Sequence, residues 1–553
     1  MDAERIVTSA TRVTVVVLVL FIMSFVIDMI WDDLSWSNFH VFVLPFAFGS
    51  LIYLIFSFRE VRFSMFRRRS RYTAAILSFL FMVFLGSLPF MLTEHWDPVS
   101  AVFESTAGFT TTGLSIFGAR EITEMSHGLM FFRVAIQWVG GFFYLVFAFM
   151  FLSDISDLAQ RSVDRRIFSR IGLVPKLSFI LQNLATVYVI FTLLSFLSVY
   201  ISGQSLFDSI CLSLATVSTG GFSSSGRVLT GGWGLMMMVA FFMFLSGMGY
   251  YVHLSLMSAR GRRRTFFDSE NVIYLTMVFV VPIVSTLILA SHGIAIGSSL
   301  RDGIFASISA LSTTGFMVEG MDSWPDSMRF LLLLLMLIGG SSLSVASGFK
   351  VQRSILLVKG FLGEVRRSSH PSAVVMLRRG EGTYSDKALE SANMSFFYLF
   401  ALLAISMTVL LLFADDMFDA LSLCVTSLSN SGMAFGIYST AEGIAGLNWF
   451  VKLVLALMML LGRFEILLPL YVLSLRGKRF TGRPRCIRDP LAGMFPGRYS
   501  SPPREGALPS PPWHIWATGE RYTTWIPSHS RPGGLPRLPW SGRTSWRSRK
   551  GPM

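Results

Sequence analysis

The sequence predicts an all-α polytopic membrane protein of about ten transmembrane helices. Two come first, and eight form four span–pore-loop–span repeats with pseudo-fourfold symmetry around one axis. Three observations carry this. Only 14% of the 553 residues are charged and 52% are hydrophobic, with a mean hydropathy of +0.58; a soluble domain carries about 25% charged residues. Apolar runs of near-span length recur between short polar connections. A hydroxyl-rich run closed by glycine occurs four times, roughly a hundred residues apart, which marks an internal repeat.

Residues 13–30 and 39–58 are the first two spans, each near the ~20 residues needed to cross a bilayer. The first is long and followed by many others, so it reads as a retained span rather than a cleaved leader. After them comes a basic stretch at 59–71, centred on Arg67, Arg68 and Arg69. By the positive-inside rule that stretch is cytoplasmic, and so is the N-terminus. Residues 74–92 and 128–152 flank the first loop, 178–201 and 233–257 the second. Residues 272–290 and a span from 330 onward flank the third, and 394–413 and 449–475 the fourth. Basic clusters at 161–176 and 260–264 fall on the same side as 59–71, whereas Glu94, Asp97, Glu121, Glu124 and Asp322 fall on the other. The resulting units are 1–71, 72–170, 171–264, 265–380 and 381–479, followed by a tail at 480–553.

Before each loop lies a segment too short to span. Asp97-Pro98 opens the first, and Asp208, Asp302 and Asp419 open the others. Aspartate at an N-cap and proline at N1 are helix-start signals. About twelve residues of helix then cover roughly 18 Å, half a bilayer. The partially negative C-terminal ends of four such helices, aimed at one axis, favour a cation. Where each helix ends, Thr111, Thr112 and Gly113, then Ser218, Thr219 and Gly220, then Thr313, Thr314 and Gly315, then Asn430, Ser431 and Gly432 provide small hydroxyl residues and glycine. The aligned glycines are Gly113, Gly220, Gly315 and Gly432. Four such loops on one axis make a ring of backbone carbonyls, the arrangement that replaces the water around a potassium ion. The axis then reads as one ion pore, and these twelve residues as its K+-binding filter.

The charge distribution excludes nucleic acid as a partner. Of the net charge of +14, +9 falls in 481–553, where twelve Lys/Arg face Asp489, Glu505 and Glu520. Cys211, Cys424 and Cys486 have no metal-ligand spacing. No nucleophile–base pair, paired carboxylates or metal-ligand cluster at helical spacing points to an enzyme. No Gly-rich dinucleotide loop or P-loop occurs, and no cofactor is implied beyond K+ as the transported ion.

The motifs resemble the Trk/Ktr/HKT superfamily of potassium transporters, and within it the bacterial Trk H-type potassium-uptake membrane subunit. The likeness covers about residues 10–478. It rests on Phe103-Glu104 with the 110–113 loop, Gln137-Trp138-Val139-Gly140-Gly141, Ser218-Thr219-Gly220-Gly221-Phe222 and Leu461-Gly462-Arg463-Phe464-Glu465. The resemblance implies four pseudo-fourfold units around one ion path, a homodimer in the bacterial inner membrane, and a cytoplasmic nucleotide-binding ring of the Trk A type. It also implies a glycine-rich gate loop breaking the second span of the third unit and ending in lysine. Here that stretch keeps Gly339, Gly340, Ser341, Ser342, Gly348 and Lys350 but carries Leu343, Val345 and Phe349. A secondary transporter coupled to Na+ or H+ is the rival reading, with broken helices and midplane carboxylates. Each repeat here begins and ends on the same side, which favours a channel-like pore.

Individual residues carry open alternatives. Arg463, deep in the last span, is a barrier charge beside the pore and gate or a structural partner of Glu465 or of a pore-helix carboxylate; a charge at that depth is expensive. Glu104 anchors the loop through backbone N–H groups or attracts cations. Lys350 acts at the gate or extends to the membrane interface, and His253 reads as a packing residue. Gly140, Gly141, Gly247 and Gly249 read as close-packing positions. The tail at 481–553 holds 13 of 21 prolines and 5 of 12 tryptophans. It reads as non-native or poorly ordered, or as a basic aromatic segment that holds anionic headgroups.

Overall fold

The computed structural model describes residues 2–32, 36–57, 68–93, 97–155, 177–224, 228–229, 231–256, 266–370, 378–379, 382–384, 386–414 and 416–464. The basic clusters at 59–67, 161–176 and 260–264, the extension of the last span through 465–479, and the tail lie outside them.

The chain is helical from end to end of the described residues, with a two-residue antiparallel ribbon, Arg378–Arg379 against Gly382–Thr383, as a minor exception. In order the helices are α1 (Asp2–Trp31), α2 (Trp36–Ser57), α3 (Arg68–Met91), α4 (Pro98–Phe109), α5 (Ala119–Glu124) and α6 (His127–Ile155). Then come α7 (Leu177–Ile201), α8 (Leu206–Val217), α9 (Trp233–Gly247), α10 (Tyr250–Leu256), α11 (Ser269–Ser291) and α12 (Ile296–Leu311). The last are α13 (Asp326–Ile338), α14 (Val351–Ser369), α15 (Asp386–Leu410), α16 (Met417–Ser429), α17 (Ala441–Ala445) and α18 (Trp449–Phe464).

Six of these, α1, α3, α6, α7, α11 and α15, are long and apolar enough to cross a membrane. α9 and α10 make a seventh span if taken together, bent by 95°. The remaining expected spans are α2, whose apolar stretch Phe39–Ile55 is short, α13, which stops at Gly339, and α18, which reaches the end of the described residues.

Four half-length helices, α4, α8, α12 and α16, contain 12, 12, 16 and 13 residues. Their starts correct the expected caps at three of four places. Asp97 does cap α4, accepting from Ser100 N at 3.1 Å with Pro98 behind it. α8 is capped by Ser205, whose hydroxyl accepts from Asp208 N at 3.0 Å, so Asp208 sits in the first turn. α12 begins at Ile296, six residues before Asp302, which pairs with Arg301 at 2.6 Å. Asp416 caps α16, and Asp419 instead accepts from Ile437 N at 3.0 Å. At α8 and α16 neighbouring polar residues compete for the same free N–H groups, whereas α12 starts after Ala295 with no side-chain cap.

The half-length helices are arranged in a closed circuit. α6 packs on α8, α9 on α12, α13 on α16, and α18 on α4, so the second span of each unit supports the short helix of the next. The last junction is sealed by aromatic rings: Phe464 lies 5.1 Å from Phe79 of α3 and 5.6 Å from Phe147 of α6. Glycines permit the approach. A Cβ on Gly140 of α6 would overlap the Phe109 carbonyl, and one on Gly462 of α18 would overlap that of Leu428. Gly140→Ala should therefore destabilise the detergent-purified protein by about 1–3 kcal/mol of overpacking, read as a lower thermal midpoint. Gly234→Ala, at an open helical site, should leave it unchanged or slightly raised.

Candidate cation site

Each short helix ends in a loop with one repeated backbone path. Thr111, Thr219, Thr313 and Asn430 all adopt the left-handed region, at φ 54°, 52°, 53° and 51°; two residues later Gly113, Gly221, Gly315 and Gly432 do so again, at 78°, 77°, 84° and 75°. Between them, Thr112 N, Gly220 N, Thr314 N and Ser431 N each donate to the carbonyl five residues earlier, at 2.9, 2.9, 2.9 and 3.1 Å. These bonds tie non-helical, buried backbone to the open carbonyls of the helix end.

This geometry corrects the alignment of the second loop by one residue. Gly221, not Gly220, is the counterpart of Gly113. Thr219, Gly220 and Gly221 stand where Thr111, Thr112 and Gly113 do, and Ser218 is the counterpart of Thr110. Adjacent glycines made both registers compatible with the sequence; only the backbone angles distinguish them.

The loops interlock in a circle. A Cβ on Gly113 would overlap the carbonyl oxygen of Gly220; one on Gly221, that of Thr314; one on Gly315, that of Ser431; and one on Gly432, that of Thr112. Each glycine thus meets the middle carbonyl of the next loop, and the fourth loop returns to the first. Both the positive φ and the close approach require glycine.

The middle positions differ in chemistry. The Thr112 hydroxyl pairs with Thr110 at 2.7 Å, that of Thr314 with Ser312 at 2.7 Å, and that of Ser431 with Ser429 at 3.2 Å. Gly220 has no side chain, and Gln137 of α6 occupies the space. Its amide donates to Gly220 O at 2.6 Å and its carbonyl accepts from Phe222 N at 3.2 Å. Sequence reasoning noted Gln137 only within a motif. A buried amide beside a Gly-Gly pair was the available signal. Asn430 bridges the fourth loop to the first, donating to Thr112 Oγ1 at 2.8 Å and to Met459 O at 2.9 Å.

Glu104 is an anchor. Its carboxylate accepts from Ile116 N and Ser115 Oγ, both at 3.1 Å, and from Arg133 Nε at 2.6 Å. Arg133 is 1% exposed and also lies 4.0 Å from the Phe222 ring, so it joins the first two loops.

The third unit's second span is interrupted as expected. α13 ends at Gly339 (φ 71°), and α14 starts only at Val351. Phe349 N to Leu337 O, Lys350 N to Ile338 O and Val351 N to Gly340 O, at 2.8–3.1 Å, close the neck of the intervening 339–350 loop. The loop's body is tied on several sides. Ser341 N donates to Gly247 O and Tyr250 N to Leu343 O, both at 2.9 Å, at the bend between α9 and α10. Gly249 belongs to that bend, where a Cβ would stand 2.7 Å from Ser342 O. Glu270 accepts from Ser342 N at 2.5 Å, a latch the sequence reading missed, since a lone carboxylate opening α11 resembles an ordinary helix start. Ser347 N donates to Thr313 Oγ1 at 2.8 Å.

Arg463 is 1% exposed and donates to Val345 O at 3.1 Å and Ser347 Oγ at 2.5 Å, with its guanidinium 4.0 Å from the Tyr144 ring. Glu465 lies outside the described residues. Lys350 does not extend to an interface: it is 4% exposed, donates to Ala346 O and faces the same Tyr144 ring at 5.3 Å. Thus Gly339, Gly340, Ser341, Ser342, Gly348, Lys350 and Arg463 form one assembly, joined to the third hydroxyl loop.

Residues 34–476 match the family described as TrkH, cation transport protein. The chain belongs to the TrkH family. Its members are transporters, not enzymes, and the chain is a multi-pass membrane protein of that kind. It is 28% identical over 418 residues to the Trk system potassium uptake protein TrkH of Escherichia coli K12, covering 72% of this chain and 84% of that protein. With the Halomonas elongata protein of the same name it shares 29% over 454 residues, covering 80% and 92%. The crystal structure of the potassium transporter TrkH from Vibrio parahaemolyticus shows the same fold. It matches with a TM-score of 0.76 at 22% identity over 86% of this chain and 98% of that one. The TrkH resemblance implied by the sequence motifs therefore holds.

The Glu104–Arg133 pair yields a stability prediction. Arg133→Met strands a buried carboxylate, and breaking such a pair costs about 3–5 kcal/mol. The melting temperature should fall sharply, and adding Glu104→Gln should recover most of the loss.

Proposed function

We propose that this protein is the membrane subunit of a potassium uptake system, carrying K+ through the ring formed by its four loops. The observation that carries this is the circular glycine-to-carbonyl interlock, with the same pair of left-handed residues in every loop. A left-handed residue on either side of the middle position redirects the backbone at the end of each short helix, and four such segments on one axis can line a path with oxygens for a dehydrated cation, the Gly220 carbonyl being held by Gln137. The names of the relatives support potassium as the ion.

In this reading the filter residues are Thr111, Thr112 and Gly113, Thr219 and Gly220 with Gly221, Thr313, Thr314 and Gly315, and Asn430, Ser431 and Gly432. Ser218 supports them as a helix cap. The units 72–170, 171–264, 265–380 and 381–479 surround the path, with 1–71 packed outside. The 339–350 loop is the gate and Arg463 its fixed positive charge. The protein works as a homodimer in a bacterial plasma membrane with its N-terminus inside. A cytoplasmic nucleotide-binding ring of the Trk A type controls the gate; the relatives' Trk system names support a membrane subunit that works with other components.

Two measurements test this reading in proteoliposomes. Each loop has a single left-handed glycine, so there are few fixed carbonyl rings, and K+ and Rb+ should pass with measurable Na+ leak. Gly113→Ser or Gly315→Ser should raise the Na+/K+ flux ratio; an unchanged ratio in folded protein refutes the filter assignment. Arg463→Ala removes a buried cation that holds the gate loop through Val345 and Ser347. It should raise K+ flux with the ion ratio nearly constant, whereas failure to insert or assemble would make Arg463 a structural residue.

A further inference from the structure

The first position of the four loops is not equivalent around the ring. Thr111, Thr219, Thr313 and Asn430 share one backbone conformation and complete burial. Thr111 Oγ1, Thr219 Oγ1 and Asn430 Oδ1 are buried without a hydrogen-bond partner. Thr313 Oγ1 alone of the four accepts a backbone N–H, that of Ser347 in the 339–350 loop, at 2.8 Å. Unpaired buried oxygens are costly, and the hydroxyls of Thr111 and Thr219 are donors available to an electropositive guest, whereas the Asn430 amide is turned to α18, with its Oδ1 3.1 Å from where a Cβ on Gly462 would stand. A fully buried site holding only neutral oxygens suits a monovalent cation with a soft hydration shell.

We propose that Ser347 and Thr313 couple the gate loop to an inner cation site formed by the threonines at the first position of the first three loops, so that the transported ion itself favours release of the gate. The proposal rests on the ion-path reading above. While the loop is seated, the Ser347 N–H points its positive end at Thr313 Oγ1 and occupies one of its lone pairs. The cation then has two free threonine hydroxyls, those of Thr111 and Thr219, and one engaged. When the loop withdraws, the Thr313 hydroxyl turns to the ion, and the site gains its third threonine donor. Linkage makes the coupling reciprocal: whatever factor loop release adds to cation affinity, cation binding adds to loop release. Ser347 suits this role because its hydroxyl is also held by Arg463, so one residue joins the gate charge to the ring. The loop has other ties, at Gly247, Tyr250 and Glu270.

The test compares Thr313→Val with Thr111→Val and Thr219→Val in the full-length protein. The readouts are resting Rb+ flux in liposomes and the K+ concentration that half-maximally raises thermal stability. Thr111→Val and Thr219→Val should weaken K+ stabilisation and lower flux. Thr313→Val should raise resting flux about five-fold, the shift expected from losing one ordinary hydrogen bond, with a smaller loss of K+ stabilisation. Thr313→Ser, which keeps the hydroxyl, should restore both readouts toward wild type and guards against misfolding of the valine variant. If Thr313→Val matches Thr111→Val in both readouts, the coupling is overturned. If no valine variant changes K+ stabilisation, the inner site is absent, and the ion-path reading falls with the coupling. If Thr111→Val and Thr219→Val weaken K+ stabilisation but Thr313→Val leaves flux unchanged, the ion path stands and the coupling alone fails.

Discussion

At four junctions between the loops, a glycine faces a neighbour's carbonyl oxygen so closely that no Cβ could stand between them. This contact is the constraint on which the fold turns. Each loop is buried, non-helical backbone, and its polar groups must be satisfied locally or by a neighbour. The bonds back to the helix end satisfy the N–H of the middle residue; the left-handed pair sets the direction of the carbonyls. Because the fourth glycine meets the first loop, no unit completes its own site. The helices repeat this dependence at larger scale, with α6, α9, α13 and α18 each supporting the following short helix.

Closure does not make the units equal. The first loop is pinned by the buried Glu104–Arg133 pair, the second by the Gln137 amide in place of a side chain, and the fourth by the Asn430 bridge. The third is bound to the interrupted span through Ser347. A ring whose supports differ can hold similar backbone geometry at every position while responding differently at each. Here the third loop is the one of the four tied to the interrupted span.

Two buried cations, Arg463 and Lys350, share the face of Tyr144 and donate to the 339–350 loop. Burying a guanidinium is expensive, and backbone carbonyls, a serine hydroxyl and an aromatic face offset part of that cost. The loop's glycines serve the same arrangement. Gly339 and Gly348 approach so closely that a Cβ on either would meet the other's backbone. That approach narrows the neck, and two of the loop's carbonyls, those of Val345 and Ala346, accept from the two cations.

Much of this was legible in the chain alone. Hydropathy and low charge identified the membrane class, because lipid forbids exposed polar backbone whatever the tertiary arrangement. The fourfold recurrence located the loops, and the run of glycine and serine at 339–348 located the break in the third unit. Asp97-Pro98 placed the start of α4, a local capping signal. Register was another matter. Ser218-Thr219-Gly220-Gly221 accommodates two alignments, and the choice of Gly221 follows from its fit against Thr314 in a loop almost a hundred residues away. The starts of α8 and α16 likewise fell to one of several competing polar residues, and α12 starts after Ala295 with no side-chain cap. Gln137 and Glu270 gained their roles only when folding brought them to Gly220 and Ser342. Periodicity and composition are properties of neighbouring residues, so the sequence determined where helices, breaks and loops fall. Which oxygen meets which glycine depends on contacts between distant segments, and the tertiary structure alone decided it.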